Sequence, residues 1–252
     1  MRTRGGHGMQ TVFSLKRKTL IVDLGGLRSV LSNAPKAGGM TRARYVLNHQ
    51  VAANPINSND PGVRPSVRCP DPARTLNVLA TSLGIRDKCV GLMTAVSIAD
   101  VVTVREVYDQ IWVEGFVTVG TSNAVWAGEP VTSSQHINSH TRPGTINVIL
   151  VTNARLSAAA MVGVVQVSTE AKTAVLLRAK VKSWTGRSAA TGTGTDAVVV
   201  VSGNGPSLRY SGTHTVIGEL VGRVIRTAVT EGLARYARRH THRTFRSSMK
   251  NS

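Results

Sequence analysis

The chain has 252 residues, of which 41% are hydrophobic, and this is long enough to bury a sizeable core. Its formal net charge of +18 and sequence pI of about 11.3 attract polyanions and anionic surfaces but do not specify a fold. This composition excludes a disordered or fibrous protein, and an aromatic content of 4% leaves few platforms on which bases could stack.

The basic residues are concentrated near both ends of the chain. We expect residues 1–18 and 240–252 to be basic tails around a single domain of residues 19–239. No RNA-binding motif accompanies the charge, so a specific nucleic-acid partner is not expected, although a nucleic-acid-binding protein that uses the tails remains an alternative. No apolar run reaches membrane-spanning length and no signal sequence follows the basic start, which favours a cytoplasmic location and no membrane partner.

The cysteine and histidine patterns predict no metal site. Cys69 and Cys89 lack the paired spacing of zinc ligands, and no disulfide can be argued from two isolated cysteines. His136 and His140 lie in a polar loop of residues 130–143, but no third ligand is close in sequence. We therefore expect neither a metal nor another cofactor.

The first half of the chain is predicted to be mostly sheet. Alternating or continuous apolar runs predict strands over residues 19–24, 27–31, 42–51, 90–93, 101–107 and 111–119. Residues 54–70 are crowded with Asn, Pro, Ser and Gly and are predicted to be a loop. Asp71 is predicted to cap a helix that starts at Pro72 and stops at Gly84.

The second half alternates strands and helices. Strands are predicted over residues 145–151 and 197–201, and helices from Ser157, as the cap, to about residue 179 and over residues 216–237. Lys172 falls near the inward apolar stripe of the first of these helices, but a lysine on a helix is usually a solvated surface charge. Glu170 falls on another face of that helix. The whole pattern predicts an α+β or mixed α/β fold: a single domain with a mixed β-sheet system packed by helices, whose strand order stays open.

Two turns rich in glycine and threonine interrupt this pattern. The first, Thr191-Gly-Thr-Gly-Thr-Asp196, runs directly into the strand over residues 197–201. The second, Tyr210–Glu219, contains His214 and leads into the last helix. Glycines let the backbone approach a ligand closely, and the hydroxyls and carboxylates supply hydrogen-bonding groups. Two such turns at element ends indicate a site for chemistry, although each alone is compatible with an ordinary turn.

Five segments in this order resemble one family. They are Gly120–Pro130, Pro143–Ala154, Ser168–Ala174, Ala190–Ala197 and Ser211–Gly222. Their order and spacing are similar to those of the adenosylcobinamide amidohydrolases, the CbiZ family. The resemblance covers most of the chain between about residues 20 and 233. It implies hydrolysis of the amide that joins the aminopropanol arm to the corrin ring, giving adenosylcobyric acid and (R)-1-aminopropan-2-ol.

With this reaction in view, amide hydrolysis needs an activated nucleophile, donors for the oxyanion and an acid for the leaving amine. The candidate proton-transfer groups are Asp196, Glu219, His214 and Glu170. The candidate substrate-binding residues are Asn123, Asn153, Thr191, Gly192, Thr193, Gly194, Thr195 and Thr213. A threonine nucleophile within residues 191–195 is also chemically allowed. The expected partner is a small-molecule corrinoid substrate, with a homo-oligomer possible, and a corrinoid-binding protein without catalysis is the second alternative.

Overall fold

A computed structural model of the chain describes residues 11–51, 71–130, 144–186 and 189–248, with side chains up to Arg239. The long strands are β1 (Val12–Lys16), β2 (Thr19–Ser32), β3 (Gly39–Gln50), β4 (Cys89–Thr94), β5 (Val102–Tyr108), β6 (Ile111–Val119), β8 (Ile146–Thr152) and β11 (Ala197–Val201). Two-residue strands are β7 (Ala124–Val125), β9 (Arg155–Leu156), β10 (Gly192–Thr193) and β12 (Ser207–Leu208). The helices are α1 (Pro72–Ser82), α2 (Ala158–Arg178) and α3 (Val216–Ser248), with a short 3-10 helix at Ile98–Asp100.

The eight long strands form one mixed sheet. Seven of them lie in the order β4-β3-β2-β11-β8-β6-β5. The eighth, β1, pairs with the first part of β2, whereas β11 pairs with the last part of β2. The β3–β4 and β8–β11 pairs are parallel, and the other pairs in this sheet are antiparallel. The short strands pair as β7–β10 and β9–β12. The predicted fold class, α+β with a single mixed sheet packed by helices, is confirmed.

The sheet curls so that its two halves meet face to face. Asn48 on β3 hydrogen-bonds through its side chain to Asn147 on β8 at 3.0 Å and to Thr118 on β6 at 3.2 Å. Because β2 and β11 lie between β3 and β8 in the sheet, these contacts require the inner face to fold back on itself. The enclosed core is apolar and includes Leu20, Val22, Val90, Leu92, Phe116, Ile149 and Val199.

Helices cover the outer faces of the folded sheet. α2 and α3 pack over β6, β8 and β11, and α1 packs beside β3 and β4. The approach of α3 to β6 is close, because a Cβ on Gly115 would stand 2.4 Å from Cγ1 of Val224. The predicted helix caps are confirmed for Asp71, whose side chain accepts from Arg74 N at 2.9 Å, and for Ser157, which accepts from Ala160 N at 3.1 Å.

By length and composition alone, α2 is apolar enough to cross a membrane. This differs from the expectation that no run in the chain reaches that length. In this fold α2 instead packs against β11 and α3, and Met161 and Val164 lie in the core. It also buries the charged side chain of Lys172, so one face of α2 belongs to the core of the domain.

Several boundaries differ from the sequence-based predictions. Residues 19–24 and 27–31 belong to one strand, β2, whose register shifts between Asp23 and Arg28 to accommodate Gly25 at φ +70°. The first predicted tail includes β1, so residues 12–16 are part of the sheet. The last helix continues to Ser248, into the second predicted tail. The predicted loop over residues 54–70 and the histidines at 136 and 140, like Cys69, lie outside the described residues.

Candidate functional site

Strand ends converge at one end of the folded sheet, which we call the rim. β3 ends at Gln50 and its parallel neighbour β4 at Thr94, and these two residues are register partners. β6 ends at Val119, which pairs with Ile146 at the start of antiparallel β8. β11 starts at Ala197, in register with the second residue of β8. Because Asn48 and Asn147 join both halves of the sheet here, loops from both halves meet at the rim.

The carboxylate of Asp196 lies at the rim, directly before β11. Its Oδ1 accepts hydrogen bonds from the Ile146 backbone N–H at 2.9 Å and from the Thr193 hydroxyl. Its Oδ2 accepts from the Thr193 backbone N–H at 3.1 Å and from the Lys172 ammonium. Asp196 therefore ties together the starts of β8 and β11, the strand β10 and the helix α2.

Lys172 reaches this carboxylate from α2. Its side chain is 9% exposed and that of Asp196 is 14% exposed, so the two form a largely buried ion pair. Removing two charges from water is costly, and such a pair is tolerated only where further hydrogen bonds complete it, as the Ile146 and Thr193 donors do here. We call Lys172, Thr193 and Asp196 the Asp196 cluster.

Sequence reasoning missed Lys172, although a signal for it was present. Lys172 lies four residues after Ser168, another buried polar residue on the same stripe of α2. A lysine at an inward position needs a buried anion as its partner. Asp196, at the start of the next long strand, is the anion that pairs with Lys172. The pairing of Lys172 with Asp196 depends on how α2 packs against β10 and β11.

The glycine–threonine turn is held in place by hydrogen bonds of Thr191 and by the close packing of Gly192. Thr191 accepts a hydrogen bond from Ala127 N at 2.9 Å through its hydroxyl, and its carbonyl accepts from the Thr173 hydroxyl at 2.9 Å. Gly192 packs against the ion pair, because a Cβ there would stand 2.8 Å from Oδ2 of Asp196 and 3.2 Å from Nζ of Lys172. A glycine is therefore needed at this position, because any larger side chain would collide with the ion pair.

Asn123 and Thr195 also lie at the rim. The Asn123 carbonyl accepts from Gly194 N at 3.3 Å, and its side-chain oxygen is buried with no hydrogen-bond partner among the described residues. The Thr195 hydroxyl donates to the Gly144 carbonyl at 3.2 Å. Gly194 and Thr195 are exposed, so the turn presents its tip to solvent directly beside the buried cluster. The structure thus brings together six predicted residues from the first turn and one, Asn123, from the loop after β6: Thr191, Gly192, Thr193, Gly194, Thr195, Asp196 and Asn123.

Two other predicted acidic residues, Glu170 and Glu219, lie elsewhere together with the predicted Thr213. Glu170, Thr213 and Glu219 line a cleft of about 500 Å³ between α2 and α3, together with Arg223 and Arg226. Glu219 is half exposed and ion-paired with Arg223 at 2.6 Å, whereas Glu170 accepts from Gln166 at 2.9 Å. Residues two positions apart on an α-helix point in directions about 200° apart. Glu170 and Lys172 therefore point to nearly opposite sides of α2.

The remaining predicted residues are His214 and Asn153. His214 is exposed in the turn before α3, and that helix is capped by Thr215, whose hydroxyl accepts from Gly218 N at 3.1 Å. Asn153 follows β8 at the end opposite to the rim, about 20 Å away for a seven-residue strand. Its side chain accepts from Trp112 N at 2.9 Å and donates to the Gln110 carbonyl at 2.6 Å. It therefore closes the β5–β6 hairpin and does not join the rim.

Burial shifts the pKa values of His49 and Cys89, which both lie outside the Asp196 cluster. Burial lowers the pKa of the His49 imidazole from its ordinary value of 6.5, and the positive charge of Lys18 lowers it further. His49 Nδ1 lies 2.9 Å from the Thr19 hydroxyl. Burial raises the pKa of the Cys89 thiol. Over the described ranges, no three His, Cys, Asp or Glu side chains are grouped as a metal ion would require.

Comparison with known proteins identifies relatives over nearly the whole chain. The sequence model of a family described as adenosylcobinamide amidohydrolase (CbiZ) matches residues 5–241. An uncharacterised protein of Methanocaldococcus jannaschii is 29% identical over 233 residues, 86% of this chain and 86% of that protein. A Methanosarcina mazei protein named adenosylcobinamide amidohydrolase is 29% identical over 231 residues, 88% of this chain and 96% of its own. The solved PH0078 protein from Pyrococcus horikoshii aligns with a TM-score of 0.45 and 10% identity over 93% of this chain and 82% of that one.

Proposed function

The chain belongs to the adenosylcobinamide amidohydrolase family, and we propose that it hydrolyses the aminopropanol amide of adenosylcobinamide to adenosylcobyric acid and (R)-1-aminopropan-2-ol. The family name describes a hydrolase that acts on an amide, and the family match implies a corrinoid substrate. We further propose that the reaction serves the salvage of cobalamin precursors and takes place in the cytoplasm.

The observation that carries this proposal is the Asp196 cluster. Amide cleavage requires a group that takes a proton from the attacking oxygen and later delivers one to the leaving amine. Asp196 is an ion-paired carboxylate that already accepts a hydrogen bond from a hydroxyl, and it lies beside an exposed, glycine-lined turn. Strands β8 and β11 fix its position, and catalytic groups need such rigid support.

The rim also exposes the tip of the glycine–threonine turn to solvent. The exposed tip formed by Gly194 and Thr195 has short side chains, and glycine permits a flat macrocycle to approach the backbone. Asn123 at the same rim carries an amide of the kind that can pair with the amide side chains of a corrin ring. We propose that these three residues contact the substrate while the cluster reacts with it.

The test is mass spectrometry of adenosylcobinamide incubated with the purified protein. We expect adenosylcobyric acid and free aminopropanol with the wild-type protein, and at least about a hundredfold slower release with Asp196→Asn. Thr169→Ala, on the exposed side of α2, is the control and should react at the wild-type rate. Thermal stabilisation by the corrinoid without any product would instead favour the non-catalytic binding protein.

A further inference from the structure

The hydroxyl of Thr193, a residue that is 8% exposed, donates a hydrogen bond to the carboxylate of Asp196. Its hydrogen is directed at Oδ1 of Asp196, so the oxygen lone pairs are left to face away from the carboxylate. The Thr193 backbone is held twice, by its own N–H on Oδ2 at 3.1 Å and by the pairing of β10 with Ala124 on β7. We propose that this chain cleaves its amide substrate through an ester formed on Thr193, an inference that rests on the proposed function.

The neighbouring threonines lack this arrangement. The Thr191 hydroxyl accepts a hydrogen bond from Ala127 N, and no carboxylate contacts it among the described residues. The Thr195 hydroxyl donates to the carbonyl of Gly144, which is too weak a base to remove a proton. Of the three threonines in the turn, Thr193 is the one whose proton has an ionised acceptor, which a hydroxyl nucleophile needs for activation.

Lys172 gives the two Asp196 oxygens different roles. The Lys172 ammonium donates a hydrogen bond to Oδ2, whereas the Thr193 hydroxyl donates to Oδ1. In the proposed reaction Oδ1 is therefore the oxygen that takes the proton. Lys172 acts here as a positioning residue, because it contacts Asp196 and not Thr193 in this arrangement. The burial of the pair keeps the carboxylate from turning towards solvent between the two half-reactions.

The covalent route has two balanced halves. Thr193 Oγ1 attacks the amide carbonyl carbon while its proton passes to Asp196 Oδ1, and that proton then moves to the amide nitrogen as the C–N bond breaks. The neutral aminopropanol leaves and the corrinoid acyl group remains as an ester on Thr193. Water next adds to the ester carbonyl and gives a proton to Asp196, and the C–Oγ1 bond breaks. Thr193 recovers the proton from Asp196, and the free acid leaves.

The closing experiment measures partitioning of the intermediate between water and hydroxylamine. Two substrates are compared, adenosylcobinamide and its homologue with ethanolamine as the leaving amine. A common ester gives the same ratio of hydroxamate to acid from both substrates, because the amine has left before partitioning. A ratio that depends on the leaving amine, or acid production without any hydroxamate, overturns the ester while leaving the proposed function intact.

Variants of Thr193 complete the test. Thr193→Val keeps the branched shape and should lower turnover by more than about a hundredfold, whereas Thr193→Ser should retain the constant ratio. Thr169→Val is the matched exchange on the exposed side of α2 and should leave turnover unchanged. Wild-type turnover by folded Thr193→Val overturns the nucleophile. Absence of adenosylcobyric acid with the wild-type protein overturns the proposed function and this inference together.

Discussion

Gly192 and Asp196 are in such close contact that a methyl group on Gly192 would lie 2.8 Å from Oδ2 of the carboxylate. Four donors hold that carboxylate, so it cannot move away without losing hydrogen bonds. We expect Gly192→Ala to displace the carboxylate and lower turnover by at least about tenfold, since small misplacements of reacting groups are costly.

Turnover and melting temperature measured on the same preparation check this expectation. Gly26→Ala is the control, because nothing lies within 4 Å of a Cβ at that position. If Gly192→Ala reacts as fast as the wild-type protein, the cluster tolerates displacement and is not where the chemistry occurs.

Asp196→Asn should be destabilising as well as inactive. The exchange leaves the Lys172 ammonium buried without an anion, which typically costs about 3 to 5 kcal/mol. Adding Lys172→Met removes the unpaired charge, so we expect the double variant to regain part of that free energy of unfolding. Turnover should stay lost in the double variant, because the proton acceptor is still missing. Recovery of turnover together with stability would show that Asp196 has a structural role alone.

Glu219→Gln should have little effect. Glu219 and Arg223 are both more than half exposed, and an exposed pair contributes about 0.5 kcal/mol or less. Because no member of the Asp196 cluster lines the cleft that contains Glu219, we expect turnover within about twofold of the wild-type value. A large loss of turnover by a normally folded Glu219→Gln would return this residue to the catalytic group that the sequence predicts.

Removal of the N-terminus should be tolerated to residue 10 but not to residue 18. β1 covers the inner face of the sheet, where Phe13 packs edge-on to Phe116 with ring centres 5.2 Å apart and Thr11 N donates to the buried Glu114 at 3.0 Å. A chain that starts at residue 19 should lose at least about 2 kcal/mol, or roughly 5 °C in melting temperature. The chain that starts at residue 11 is the matched comparison, and equal melting temperatures for the two would contradict the role of β1.

His49 should make stability depend on pH. Its pKa is lowered in the folded protein, so below about pH 6.5 the unfolded chain binds a proton that the folded chain does not. The free energy of unfolding should therefore be highest above pH 6.5 and fall as the pH decreases below that value. Urea denaturation of wild type and His49→Gln between pH 5 and 8 measures this, and the variant should show the weaker dependence. Parallel curves would assign the dependence to other groups.

Local features of this fold could be predicted from the sequence. The bounds of β6 and the caps at Asp71 and Ser157 depend on apolar alternation and on side chains within a few residues, and all of these predictions are confirmed. The Gly–Thr turn before β11 is recognisable for the same local reasons.

Features that depend on distant packing could not be predicted. Lys172 resembles a surface residue until α2 is placed beside β10, and Val12–Lys16 resembles a basic tail until β2 offers an edge. Asn153 ends a buried strand as Asp196 precedes one, but the two lie at opposite ends of parallel neighbours β8 and β11. They are far apart because the two strands run parallel, and the apolar pattern of a strand does not reveal its direction relative to its neighbour.

The position of β11 also constrains how the polypeptide is made. This strand lies between β2, from the start of the chain, and β8, so the sheet cannot close until the ribosome has synthesised Val201. Until then β2 and β8 each present an unpaired edge, and such edges recruit other chains. Pairing across so long a stretch of chain is also slow. We therefore expect nascent or truncated chains that end before β11 to depend on chaperones and to aggregate when released.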